Sequence, residues 1–261
     1  MFFMKAGDRN ETIALYLILI WMLLWALPSH AQHVDADHAT IHDHSSSHDH
    51  RATATQWEGS PEGKAYSEFN HHLAGIFVIL IALSVAQHAF RVAAVAWACF
   101  LLPLSMAAAG LFLIIWSDHD GWPIGPMTLS QTFFTGDWET VQHKWFGILL
   151  LLVGGIEWLR RSGKLEQERA KFSLPMFAII GGLSLFLHSH GDHPSGHEIA
   201  LHHAVMGIMA VAAGSSKLFS GFNRQHANSP NLRGPITSSP WELTWAGLIL
   251  LIGIQLLIYR E

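Results

Sequence analysis

The sequence predicts an all-α fold: a polytopic membrane bundle of six transmembrane helices, arranged as three repeated hairpins behind an N-terminal signal peptide. Half of the 261 residues are hydrophobic and only 13% are charged, a balance typical of membrane proteins. Six apolar runs of near-spanning length follow a polar stretch. The same phrase, His-x3-Gly-Ile, also occurs at the start of three of the runs, with its histidine at His71, His143 and His203.

The first 31 residues have the features of a secretory signal. Lys5 and Arg9 give a basic start, residues 12–27 are apolar, and Ser29 and Ala31 form a small-x-small cleavage site. An uncleaved first membrane helix is the alternative reading of residues 1–31. Under either reading the segment that follows is exported.

Residues 32–68 form a polar tail, whose first half alternates histidine with aspartate. We expect this tail to be disordered, because it has almost nothing to bury. Such a composition is typical of metal capture. The histidines expected to bind metal there are His33, His38, His42, His44, His48 and His50.

A membrane domain is predicted for residues 69–261. Its apolar runs are 73–90, 92–116, 144–159, 173–188, 199–216 and 241–259. Pro103 is expected to kink the second run. Ser239, Pro240 and Glu242 resemble a capping box with proline at the first helical position of the last run.

The basic residues predict the orientation of the chain. With the tail outside, 11 of the 15 Lys and Arg residues fall on the inner side. We therefore expect a multi-pass protein of the bacterial inner membrane with its tail in the periplasm and the lipid bilayer as its environment. The net charge of −5 gives no indication of nucleic-acid binding.

The repeated phrase predicts three parallel copies of a two-helix hairpin. In each copy the glycine lies one turn beyond the histidine on the same helix face, and a small residue there allows close helix packing. The return helices also match one another from Gly110 and Gly182, and more weakly from Gly247.

Histidines at the outer helix ends are the candidate ligands of a transition metal. Met206 lies on the face of His202 and His203, and its thioether would favour Cu(I) over zinc or nickel. The full candidate set is His71, His72, His119, His143, His188, His190, His193, His197, His202, His203 and Met206.

Other classes of protein stay open or are disfavoured. The single cysteine, Cys99, excludes an internal disulfide and a thiolate zinc site. No nucleotide-binding loop is evident, and we expect a binding or transport protein rather than an enzyme. A HupE-like nickel, cobalt or zinc permease and a haem-binding redox protein remain as alternatives; the outward histidines disfavour a membrane di-iron oxidase.

Several segments resemble CopD-type copper-resistance inner-membrane proteins. They are 117–126 (SDHDGWPIGP), 141–147 (VQHKWFG), 155–158 (GIEW), 185–190 (LFLHSH) and 259–261 (YRE), and the resemblance spans roughly residues 69–261. It implies copper handling, as Cu(I) or Cu(II), at the periplasmic face and movement of copper across the inner membrane. The positions that it marks are His143, His188, His190 and Glu157.

One feature departs from that family. Many of its members work with, or are fused to, a periplasmic copper-carrier domain, whereas this chain has only the short His/Asp tail in that place. A separate copper-carrier protein is therefore an expected partner, and delivery of copper stays open beside transport.

Overall fold

The computed structural model describes residues 60–90, 99–135, 138–187, 196–227 and 239–260, without the side chains of 88–90, 135 and 223–227. These ranges contain α-helices and short helical turns, and no strand. The α-helices are α1 (Pro61–Phe90), α2 (Leu101–Ile115), α3 (Trp138–Arg161), α4 (Ser173–Leu185), α5 (Gly196–Ala227) and α6 (Pro240–Leu257). A π-turn at Gln131–Thr135 precedes α3, and a 3₁₀ turn at Glu168–Phe172 precedes α4.

Three helix starts refine the expectations from the sequence. Helix α1 begins at Pro61, inside the stretch that was expected to be a disordered tail. Pro103 lies in the first turn of α2, where its missing N–H leaves no bond broken within that helix; most of the predicted run before it, residues 92–98, lies outside the described residues. Helix α6 has Pro240 at its first position as predicted, but Ser239 makes no side-chain cap.

Within the described ranges, three helices are long and apolar enough to cross a membrane. They are Pro61–Gln87 of α1, Gly196–Phe222 of α5 and the whole of α6, Pro240–Leu257. Helix α2 is also apolar but shorter. The described residues therefore belong to an all-helical protein with membrane-spanning segments.

The six described helices form a closed ring in chain order. Each helix packs on the helices that precede and follow it, and α6 packs on α1 more extensively than any other pair. Neighbours run antiparallel: His202 in the first half of α5 contacts Gln255 near the end of α6, and Lys217 in the second half of α5 contacts Glu242 in the first turn of α6. As a result, the histidine of every His-x3-Gly-Ile phrase lies at the same end of the ring, which we call the histidine end.

Close glycine contacts join the helices in three pairs. A Cβ atom on Gly75 would lie 2.9 Å from the carbonyl oxygen of Gly253. A Cβ atom on Gly110 would lie 2.8 Å from the carbonyl oxygen of Gly147, and one on Gly182 would lie 2.7 Å from the carbonyl oxygen of Gly207. Each glycine of the repeated phrase therefore meets a glycine on a return helix, and side chains larger than hydrogen have no room there.

These glycine pairs do not join the two helices within each hairpin that the sequence predicted. The tight contacts join α2 to α3, α4 to α5 and α6 to α1, which are links between the predicted hairpins rather than within them. The third return glycine is Gly253. Gly247, the residue expected from the sequence, has no atom within 4 Å of its Cβ position.

A second small-residue contact lies two turns further from the histidine end. Gly154 approaches the carbonyl oxygen of Pro103, and Gly214 approaches that of Pro175. The third pair of helices has the buried alanines Ala82 and Ala246 at the corresponding positions. Inside the ring, apolar side chains from all six helices, including Leu102, Val153, Leu174 and Met206, form one core.

Candidate metal-binding site at the histidine end

An aromatic cluster holds three histidines at the histidine end. The buried ring of Tyr259, which follows α6, stacks on His71 with centroids 3.9 Å apart. It also meets the ring of His202 edge-on at 5.6 Å. The ring of His203 lies 6.0 Å from that of His71, so residues of α1, α5 and the end of α6 come together here.

Backbone hydrogen bonds fix these rings. His71 Nδ1 lies 2.8 Å from the carbonyl oxygen of Ser67 and must donate to it, which leaves Nε2 as the lone-pair nitrogen of the neutral ring. His72 Nε2 donates to the carbonyl oxygen of Tyr259 at 3.0 Å. Gln255 donates to the carbonyl oxygen of His202 at 3.1 Å. The cluster is therefore oriented from α1, α5 and α6 together.

A second arrangement surrounds His143. Its Nδ1 donates to Asp118 Oδ1 at 2.8 Å, and the ammonium of Lys144 lies 2.8 Å from Asp118 Oδ2. The side chain of Lys144 is fully buried, and its Nζ also donates to the carbonyl oxygen of Leu113 at 3.3 Å, near the end of α2. A cation in the last turn is favoured by the helix dipole.

The charge of Asp118 is held by these two neighbours. Burial alone would raise the pKa of its carboxyl, but the His143 imidazole and the Lys144 ammonium lower that pKa to about 2. A carboxylate that accepts from one imidazole nitrogen orients the ring and raises the basicity of the other nitrogen, as at many metal sites. Asp118 therefore has the position of an orienting residue for His143.

His119 lies beside that arrangement on the loop after α2. Its Nε2 is 3.1 Å from Asp120 Oδ1, and its ring meets that of Tyr66 edge-on at 6.1 Å. Asn70 of α1 donates to the carbonyl oxygen of Ser117 at 3.2 Å. The loop is thus tied to the start of α1, next to the cluster around Tyr259.

The other predicted residues divide into three groups. Met206 is buried in the core below His203, and His197 is exposed in the first turn of α5. Glu157 lies at the opposite end of α3, fully buried and paired with Arg160 and Arg161. The histidines of the tail, the signal segment 1–31, and His188, His190 and His193 lie outside the described residues.

Among the residues that the structure describes, no three His, Cys, Asp or Glu side chains stand close enough to enclose a metal ion. What the fold brings together is the pair His71 and His203, with Met206 about one turn below the latter. An imidazole nitrogen binds a transition metal at about 2 Å, so two rings on one ion have centroids roughly 5 to 6.5 Å apart. The observed 6.0 Å lies within that range.

Sequence reasoning missed three residues that shape this end of the ring. Tyr259 was noted only as part of the segment 259–261 that resembles CopD-type proteins, and Gln255 lies unmarked in an apolar run. Lys144 was counted only as one of the basic residues on the outer side. The one available signal was the position of Lys144 directly after His143 and inside a predicted helix, where a lysine must find an anion or water.

Comparisons with protein-family models, with curated proteins and with solved structures found no match for this chain. The fold defines its class in general terms: the part of the chain that the structure describes is all-helical, with three helices capable of crossing a membrane and a histidine-lined end.

Proposed function

We propose that this protein binds copper at the histidine end and transports it across, or delivers it at, the bacterial inner membrane. The observation that carries the proposal is the approach of His71 and His203, from helices remote in sequence, at a ring spacing that suits one shared ion. His71 is held in the tautomer that offers Nε2 to a metal.

Chemistry favours copper over other ions at this pair. Two imidazoles with a thioether nearby form a soft donor set of low coordination number, which suits Cu(I). Zinc in a protein site usually takes four ligands, and the described residues do not offer four. His143, oriented by Asp118, is a second ligand position at the same end of the ring.

We further propose that all six helices span the membrane, with the histidine end in the periplasm. The alternating directions of the helices and their closed ring support this topology. The tail histidines His33 to His50 then stand on the same side as the site and would raise the local copper concentration. The resemblance of residues 69–261 to CopD-type proteins points the same way.

The decisive experiment measures Cu(I) affinity against a chromophoric chelator, in full-length protein and in protein lacking residues 32–58. We expect the double variant H71A/H203A to weaken binding by the membrane domain at least a hundredfold. H197A is the matched control, since this histidine is exposed at the same end, and should leave affinity within a factor of two. Equal affinities of the double variant and the control would refute the site.

The same protein preparations separate the alternative functions. Titration with Ni(II), Co(II) and Zn(II) tests a HupE-like permease, which should prefer one of these ions to Cu(I). A Soret absorption band in the purified protein would identify a haem protein. Transport itself is tested in proteoliposomes with a copper-sensitive dye inside, where wild type should admit or expel copper and H71A/H203A should not.

A further inference from the structure

Among the residues that the structure describes, three buried polar groups in the core of the ring have no hydrogen-bond partner. They are Ser84 Oγ on α1, Ser105 Oγ on α2 and Trp245 Nε1 on α6, on residues exposed to 0%, 3% and 1%. The helical serines Ser184 and Ser216 donate to a carbonyl of their own helix. Ser84 and Ser105 make no such bond.

The two serine hydroxyls lie on facing sides of α1 and α2. The rings of Phe77 and Phe112 meet across this interface with centroids 5.9 Å apart. Ser84 follows Phe77 by seven residues and Ser105 precedes Phe112 by seven. Because the helices are antiparallel, both serines lie two turns, about 10.5 Å, from the phenylalanine pair in the same direction and on the same face.

The indole of Trp245 lies at the same depth. Gly75 of α1 contacts Gly253 of α6 and so sets their relative level. From that contact, Ser84 is nine residues away along α1, about 13.5 Å, and Trp245 is eight residues away along α6, about 12 Å. The three residues therefore lie at about the same height on three consecutive helices of the ring.

We propose that these groups bind a small cluster of ordered water molecules inside the ring, on the half remote from the histidine end. The surrounding core residues, such as Val85, Leu102 and Met106, are apolar and offer no other partner. Buried polar groups are normally satisfied, and a buried water makes about three hydrogen bonds to such groups. Water accepts from the indole N–H and donates to the hydroxyl oxygens, so the donor and acceptor roles match.

This hydration site has a consequence for passage through the ring. Ser84 lies thirteen residues from His71 along α1, about 20 Å. A polar ligand that enters from the end opposite the histidines would meet these water molecules before it met the rest of the apolar core. The water-free part of its path through the ring would therefore be shorter. The site stands independently of the copper proposal, since none of its three groups belongs to the histidine end.

Radiolytic footprinting tests the site in the full-length protein, because hydroxyl radicals form from bound water and oxidise adjacent side chains. After correction for intrinsic reactivity, Trp245 should be oxidised at least five times faster than Phe112, although Phe112 is the more exposed, at 7% against 1%. In ¹⁸O-labelled water the added oxygen should carry the label. An oxidation rate of Trp245 no higher than that of Phe112 would overturn the proposal even without a variant.

The variant arm uses S84A/S105A, with S216A as the matched control. The hydroxyl of Ser216 already donates to Ala212, so its loss should leave the oxidation of Trp245 unchanged. The double variant should slow that oxidation at least threefold and should not raise the melting temperature. A rise in melting temperature with unchanged oxidation would show dry, unsatisfied hydroxyls and would contradict the site.

Discussion

Replacing Gly182 by alanine tests the close helix packing that defines the ring. A Cβ atom there would lie 2.7 Å from the carbonyl oxygen of Gly207, and 2.9 Å from both Ala210 Cβ and the backbone nitrogen of Val211. Two of these three atoms belong to the backbone of α5, so no side-chain rotation relieves the clash and the helices must separate. Overpacking of this kind costs about 1–3 kcal/mol.

The adjacent glycine supplies the control. A Cβ on Gly181 would have its nearest neighbour at 3.9 Å, an ordinary contact with Phe146. G181A should therefore raise stability by about 0.5–1 kcal/mol, because alanine is favoured over glycine inside a helix. Unfolding in mixed detergent micelles, followed by circular dichroism, measures both variants. If G182A proved as stable as G181A, the proposed backbone contact between α4 and α5 would be wrong.

Two further predictions concern buried charge. D118N should lower stability by about 3–5 kcal/mol in the same assay, because it leaves the buried ammonium of Lys144 without its anion, and D118N/K144M should recover most of the loss. Since the pKa of Asp118 is lowered to about 2, the stability that its ionisation contributes is complete above the ordinary value of 3.8 and is lost as the pH falls towards 2, so a titration from pH 5 to pH 2 should show the loss in wild type and not in D118N. E242Q should destabilise less than D118N, because Lys217, whose ammonium lies 2.7 Å from Glu242, keeps 27% of its side chain exposed and regains water.

Hydrophobic periodicity predicted the positions of the helices well, because each apolar run must be helical to satisfy its backbone in lipid. The runs at 173–188 and 241–259 correspond to α4 and α6 to within three residues at each end. The start of α1 was misplaced because residues 61–68 are polar, and only the helix dipole and its contacts with the loop after α2 favour the extension.

The partners of the repeated glycines could not be read from the sequence. The motif identifies which face of a helix packs closely, but it does not identify the return helix on which that face packs. In a ring, each helix has a preceding and a following neighbour, and both are adjacent to it in the chain except where α6 meets α1. Gly247 and Gly253 both lie in α6, and only three-dimensional packing distinguishes the glycine at a crossing from the one that faces outward. Likewise, spacing predicted histidines at one end, but not that Tyr259 would hold His71, His202 and His203 together.

Because α6 packs on α1, the ring should survive a break elsewhere in the chain. Helices α3 and α4 contact each other least of all ring neighbours, and the turn between them contains Gly163, which has a positive φ of 71° and no atom near its Cβ position. Two co-expressed fragments divided after Gly163 should therefore assemble and co-purify, held by the α1–α6 contact.

Substitution of Gly253 by leucine provides the counter-test for this assembly. The added side chain would strike Ile79 and the backbone of α1, since even a Cβ there lies 2.7 Å from Ile79 Cγ1. The divided protein should then fail to co-purify, whereas G247L, on the open face of the same helix, should leave assembly intact. Co-purification of the G253L fragments at the wild-type level would mean that the α1–α6 contact does not close the ring.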